Sequence, residues 1–421
     1  MLVFMLVLKA PAGVAMGIVG FIGTGLALQW GAATNLLVTD VWATFSSYGL
    51  TVIPMFVLMG QVCFYAGFNE RLYDASYKWF GRIRGGLAVT TILACAGFAA
   101  ICGSNTATAA TMTKVALPEM KKYKYNPILS TGALAAGSTL GVVIPPSVVL
   151  VVYGLNTGTS IGKLFYGSTV PGIILALLMA ATCYLMCLVH PEWGPRGPKV
   201  ALRDRIRAIP NALDMVLIFG VTMGSLAIGL FTPSEAGAAG TVIAILISVL
   251  RGTFTLKGFL AAVKDTVKIS CMVFVILAGA TIFGRFLTVT RLPFVAADWV
   301  AALPVPAWVI LWAMMVIYII GGCFMDALAF LLITIPIFFP LAQKLGFDPT
   351  WFGVLICIVT TVGAVTPPVG ISAYVVAGMN PDVKLATVFR GITWFLPSYI
   401  ITMLLVQYIP QLVTLFAGLV S

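Results

Sequence analysis

Charge is scarce in this 421-residue sequence: Asp, Glu, Lys and Arg make up 9% of it, against 61% hydrophobic residues. Soluble domains carry about one quarter charged residues, so a water-facing globular class is excluded and the lipid bilayer is the solvent. One histidine, His190, and eight cysteines without a C-x-x-C pair give no support to a zinc centre or a disulfide framework. The cysteines fall mostly in apolar runs, where they read as packed free thiols. Neither H-E-x-x-H nor G-x-x-x-x-G-K-[ST] occurs, so zinc chemistry and ATP hydrolysis by this chain are unsupported. Gly158-Thr159-Ser160-Ile161-Gly162 fits G-x-S-x-G, but the lone histidine lies beyond a whole apolar span, out of reach as a base. The chain is therefore not expected to be an enzyme.

Long apolar runs are what it does have. A bilayer core about 30 Å thick needs about 20 apolar residues per helical crossing, and such stretches follow one another along the chain. They predict spans near 9–30, 42–67, 126–155 and 164–189, a linking span near 213–231, and further spans near 232–250, 268–290, 350–378 and 388–413. The start carries one charge, Lys9, and runs apolar for longer than a signal core of roughly 7 to 15 residues, so it reads as a first span. The net charge of +11 sits in short loops between spans, where it attracts anionic membrane lipid rather than nucleic acid.

An internal repeat organises these spans. Pro118, Pro127, Gly141 and the pair Pro145-Pro146 each recur 222 residues later, as Pro340, Pro349, Gly363 and Pro367-Pro368. Repeat 1 is assigned to 1–190, a cytoplasmic loop and linking span to 191–231, and repeat 2 to 232–421. Each repeat holds a segment interrupted midway by small or polar residues, 86–122 and 306–345, which reads as a re-entrant helical hairpin. Irregular backbone at membrane depth survives only where protein or a water-filled cavity surrounds it. Each also holds a Pro-Pro-broken helix, 126–155 and 350–378. Five crossings separate the starts of the two copies, and an odd number inverts the second.

Inversion places the loops at 68–86, 114–126, 190–212 and 251–268 on one face. With Lys9, Lys384 and Arg390 on the same face, that assignment leaves only Lys163, Arg285, Arg291 and Lys344 of the 24 basic residues elsewhere, so the positive-inside rule makes the face cytoplasmic. The fold class expected is an all-α polytopic membrane protein of two inverted-topology repeats, which is transporter architecture.

The candidate chemistry lies at the hairpin tips and the breaks. Gly103-Ser104-Asn105-Thr106-Ala107-Thr108 puts hydroxyls and an amide where lipid forbids them. Helix-end carbonyls there suit Na+ and helix N-termini suit a carboxylate, while small-residue helix packing is the plainer reading. Asp326, in Gly321-Gly322-Cys323-Phe324-Met325-Asp326, is a carboxylate with no basic neighbour in its hairpin, so it reads as a cation ligand, a proton site or a helix cap. Glu235 reads as a first-turn cap. Two successive prolines unwind a helix or kink it, and unwinding frees carbonyls around Gly141–Ile144 and Gly363–Thr366.

Taken together, Gly103–Thr108 with Pro118, Ile144-Pro145-Pro146-Ser147, and Thr366-Pro367-Pro368 with Gly378 give the chain its family likeness. It resembles the large membrane (M, DctM-like) subunit of tripartite ATP-independent periplasmic (TRAP) transporters over nearly its full length. The resemblance implies an elevator-type carrier of the ion transporter superfamily in the bacterial inner membrane, driven by Na+ as coupling ion, with no organic cofactor. It implies two partners, a small membrane (Q) subunit and a periplasmic substrate-binding (P) protein. Carried across, a first Na+ site would use Ser104, Asn105, Gly141 and Pro145, and a second would use Gly322, Asp326, Thr361 and Pro367. Substrate, an organic acid anion such as a dicarboxylate or sialic acid, would lie near Thr106, Thr108 and Ser147. A stand-alone carrier of the same superfamily, a membrane-embedded enzyme and a channel are the rival readings.

Overall fold

The computed structural model describes residues 1–8, 10–197 and 200–419, and among them every regular element is a helix. Eight helices are long and apolar enough to cross a membrane by length and composition, or nine with one bent pair. The chain is a multi-pass membrane protein.

The first half runs α1 (Leu2–Val7), α2 (Ala12–Ala27), α3 (Trp30–Phe45), α4 (Val52–Tyr65) and α5 (Phe68–Phe80). The hairpin follows as α6 (Gly86–Cys102) and α7 (Asn105–Lys122), then the broken helix as α8 (Pro127–Ser138), α9 (Leu140–Val143) and α10 (Val148–Thr157), then α11 (Ile161–Val189). A linking helix, α12 (Leu202–Ala227), leads to α13 (Pro233–Leu250), α14 (Leu256–Thr290) and α15 (Leu292–Ala301). The second hairpin is α16 (Ala307–Phe324) and α17 (Ala327–Lys344); the second broken helix is α18 (Pro349–Val365) and α19 (Ile371–Gly378). The chain closes with α20 (Leu385–Thr393), α21 (Leu396–Tyr408) and α22 (Gln411–Ala417).

The 222-residue spacing holds at the level of helix boundaries. It carries Asn105–Lys122 onto Ala327–Lys344 and the start of α8 at Pro127 onto the start of α18 at Pro349. Even the caps correspond: the Asn126 side chain accepts from Ile128 N at 2.8 Å, and Asp348 accepts from Trp351 N at 2.8 Å, each just before a helix-initiating proline. The pairing of elements repeats as well, since α2 lies along α14 and α4 lies along α13.

Several boundaries differ from the sequence reading. The span placed at 42–67 is two elements: α3, unforeseen as a helix, ends at Phe45, and α4 starts after a short turn at Tyr48–Thr51. The segment at 251–268, read as a loop, is helical from Leu256, and α14 is 35 residues long. At 1.5 Å per residue it extends about 52 Å, well past a 30 Å hydrocarbon core, so Lys257, Lys264 and Lys268 ride on its protruding end. The segments at 68–86, 114–126 and 190–212 likewise carry helix, in α5, the end of α7 and the start of α12. Lys9, Pro198 and Lys199, with the last two residues, lie outside the described residues.

The broken helices form the core. The span from Pro127 to Thr157 is 94% buried in its most apolar window, whereas α11, α12, α13 and α14 are only 39% buried in theirs. A helix surrounded by protein on all sides need not present a lipid-facing stripe, which is why small and hydroxyl residues such as Ser138 and Thr139 occur there.

Candidate functional site

Both hairpin tips rest against the Pro-Pro break of their own half. At the first tip the chain reverses at Gly103, whose φ of +63° belongs to the left-handed region that glycine enters without penalty. Its carbonyl accepts from Val148 N at 3.4 Å, just beyond the cis Pro145-Pro146 bond. The second tip does the same, with Val369 N donating to Cys323 O at 3.2 Å beyond the cis Pro367-Pro368 bond. The prolines remove helical donors, so the helix ends there and a hairpin carbonyl takes up one of the amides that follow.

Close approach is possible because of glycine. A Cβ on Gly141 would stand 2.8 Å from the Ser104 carbonyl oxygen and 2.9 Å from Thr108 Oγ1, and a Cβ on Gly363 would stand 2.6 Å from Gly322 Cα. Gly141 and Gly363 are repeat mates, and each lets its broken helix approach its own hairpin closely, at Ser104 on the second arm of the first hairpin and at Gly322 on the first arm of the second.

Among the residues assigned to the first Na+ site, Ser104, Asn105 and Gly141 meet at this junction, with Pro145 in the adjoining break. Ser104 is the N-cap position of α7, and its hydroxyl lies 3.2 Å from that of Thr106. Asn105 is 6% exposed, and its Oδ1 is buried without a hydrogen-bond partner among the described residues. An orphan carbonyl-type oxygen beside hydroxyls is a donor set suited to a hard monovalent cation.

In the second set, Gly322 packs on α18 beside Gly363. Asp326 caps α17 by accepting from Leu328 N at 3.1 Å and at the same time faces a cavity. Thr361 donates to Ile358 O at 2.6 Å within its own helix, one turn and a half before Pro367. Glu235 is a helix cap: its carboxylate accepts from Thr232 N at 2.8 Å, completing a reciprocal capping box.

The cavity holds about 310 Å³ and lies between the two tips. Its polar wall is Ser104, Asn105 and Thr106 at the first tip and Asp326 at the second, with Val148 and Ile371 reaching in from the two broken helices. Further lining comes from α4 and α14, through Val57, Gln61, Ile269, Met272, Val273 and Ile276. Among the described residues lining it, Asp326 is the one charged side chain.

Thr106 lines this cavity, whereas Thr108 and Ser147 do not. Thr108 donates to Ser104 O at 2.7 Å and packs on Gly141; Ser147 caps α10 by accepting from Leu150 N at 3.4 Å. Both hold the backbone around the cavity and do not face into it. The sequence reading missed Gln61, the one amide in an otherwise apolar helix, which was the signal available for it.

Comparison with known proteins fits this geometry. Residues 1–412 match the family described as "Tripartite ATP-independent periplasmic transporter, DctM component". The chain is similar to the C4-dicarboxylate TRAP transporter large permease protein DctM of Pseudomonas aeruginosa, 33% identical over 89% of this chain and 87% of that one. It is also similar to the sialic acid TRAP transporter large permease protein SiaM of Vibrio cholerae, 30% identical over 91% and 90% of the two chains. The isethionate TRAP transporter permease protein DctMQ of Oleidesulfovibrio alaskensis is 31% identical over 90% of this chain but only 59% of that one. The crystal structure of the YdaH transporter of Alcanivorax borkumensis shares the fold, with a TM-score of 0.63 at 15% identity over 90% of this chain and 89% of that one. A match running from residue 1 to residue 412, with relatives aligned along nearly their whole length, makes the chain a member of the DctM component family of tripartite ATP-independent periplasmic transporters, a multi-pass transport subunit.

Proposed function

We propose that the chain is the large permease of a Na+-coupled importer of an organic acid anion, a C4-dicarboxylate, sialic acid or a similar acid, in a bacterial inner membrane. The observation that carries this reading is the cavity shared by the two hairpin tips, lined by hydroxyls and an amide from the first and a carboxylate from the second. A cation between Ser104, Asn105 and the Gly141–Pro145 carbonyls, and another near Gly322, Asp326, Thr361 and Pro367, would put positive charge on both sides of the substrate. The N-terminal ends of α7 and α17 face the same space, and their N–H groups favour a carboxylate. Anion binding then needs Na+, since the cavity's own fixed charge is negative.

The halves 1–190 and 232–421 act as inverted copies in this reading, a relation supported by the 222-residue match of their helix boundaries. The hairpins and broken helices form the body that slides, elevator-fashion, against α2, α4, α13 and α14. The basic face is cytoplasmic by the positive-inside rule. Substrate arrives from a periplasmic binding protein, and a small membrane subunit completes the permease.

Reconstitution tests the assembly. Liposomes holding the chain and its small subunit, loaded with an inward Na+ gradient, should take up succinate or N-acetylneuraminate only when the cognate binding protein is added outside. Uptake that proceeds without the binding protein would establish a stand-alone carrier instead, and cleavage of the acid independent of any gradient would establish an enzyme.

A further inference from the structure

Gln61 stands apart from every other residue on its side of the cavity. It lies on α4, a helix with no other amide and no charged side chain, and shares a face with Val57 one turn earlier. The remainder of that wall is the stripe Ile269, Met272, Val273 and Ile276 on α14, at helical i, i+3, i+4, i+7 spacing. Gln61 is 8% exposed, and its amide, with no hydrogen-bond partner among the described residues, opens to the cavity.

An amide that opens to a cavity can donate to and accept from whatever polar group enters it. A leucine at position 61 would suit the apolar wall and leave no polar group to satisfy. The retained amide faces a space of about 310 Å³, within the range of about 300–1,000 Å³ typical of small-molecule sites.

We infer that Gln61 is a substrate-contacting residue that sets specificity, its amide bonding a second polar group of the organic acid, a hydroxyl, oxo or further carboxylate. This rests on the transport reading above, in which the first carboxylate lies at the tips. The amide both donates and accepts, so it serves any of those groups, and it carries no charge to compete for Na+. An acid ending in a methyl group leaves the amide buried and unpaired, and a site built to bond a polar group discriminates strongly against an analogue without it.

The test is uptake of succinate, malate, N-acetylneuraminate and butyrate by liposomes carrying the full three-component system, with wild type, Q61L and Q61E. The binding protein is the same in every arm, so a change in preference between arms belongs to the permease. In Q61L the concentration for half-maximal uptake of the polar-ended acids should rise at least tenfold, butyrate should improve relative to them, and the Na+ requirement should stay put. In Q61E, which keeps the side-chain volume, succinate should suffer more than butyrate by charge repulsion. Equal losses for all acids, a shifted Na+ requirement, or an unchanged preference in both variants would overturn the inference. No Na+-driven uptake of any of the acids by wild type would overturn the transport reading and this inference with it.

Discussion

At Gly141 a single hydrogen stands where any side chain would strike the Ser104 carbonyl at 2.8 Å, so the first tip and the first break are held in contact by the absence of a Cβ. Gly141→Ala should therefore destabilise by about 1–3 kcal/mol, as overpacking does, and lower the melting temperature of the purified protein. Gly220→Ala on α12, where nothing lies within 4 Å, is the control and should be neutral or slightly stabilising, since alanine favours helix. At Asp326 the observed role, capping α17, can be separated from the proposed one, ion binding. Asparagine caps a helix about as well as aspartate. Asp326→Asn should keep the melting temperature and raise the Na+ concentration for half-maximal uptake at least tenfold; an unchanged Na+ activation curve removes Asp326 from the ion site. The sequence allowed Asp326 to be singled out because a lone carboxylate in an apolar run is conspicuous. It did not disclose that Thr108 and Ser147 bond backbone atoms, since the direction of a short hydroxyl side chain depends on which turn of which helix it ends up capping.

The elements around the site are fastened across the two halves. Lys121, at the end of α7, donates to Asn380 Oδ1 at 2.7 Å and pairs with Asp382 at 2.8 Å, tying the first hairpin to the segment that follows the second broken helix. The Lys121 ammonium holds the Asp382 carboxyl below its ordinary value. A carboxylate whose folded value is depressed contributes stability that is complete above its unfolded value, near 3.9, and is lost as pH falls through the lower folded value. Hydrogen exchange at the 117–122 end of α7 should consequently be flat from pH 7 down to about pH 5 after correction for intrinsic rates, and rise in Asp382→Asn at neutral pH. Exchange in that variant indistinguishable from wild type would show the clip to be idle, as exposed ion pairs often are. Hairpins and breaks were legible in the sequence because proline and glycine act locally. The helical extent of α14 was not, because its basic residues continue the helix beyond the apolar length that hydropathy detects.

On the scale of the molecule, α3 shows what a linear reading leaves out. Its Asp40 is 3% exposed and is held by Arg285 of α14 in a two-pronged pair, at 2.7 Å from Nη2 and 3.1 Å from Nε. The partners are 245 residues apart, so neither charge explains the other along the chain, and a span drawn from 42 to 67 ran across the break after Phe45. Asp40→Ala leaves the guanidinium without its carboxylate. Because the Arg285 side chain is 45% exposed, the loss should be about 2 kcal/mol rather than the 3–5 kcal/mol of a fully buried pair, read as a lower melting temperature. The proposed function joins two halves, two tips and the cavity between them to an ion gradient that would drive the cargo. The direct measurement is uptake of the transported acid by the reconstituted three-component system under an inward Na+ gradient, an inward K+ gradient and no gradient. Accumulation above equilibrium under the Na+ gradient alone is the predicted result, and equal accumulation under K+ or without a gradient would contradict it.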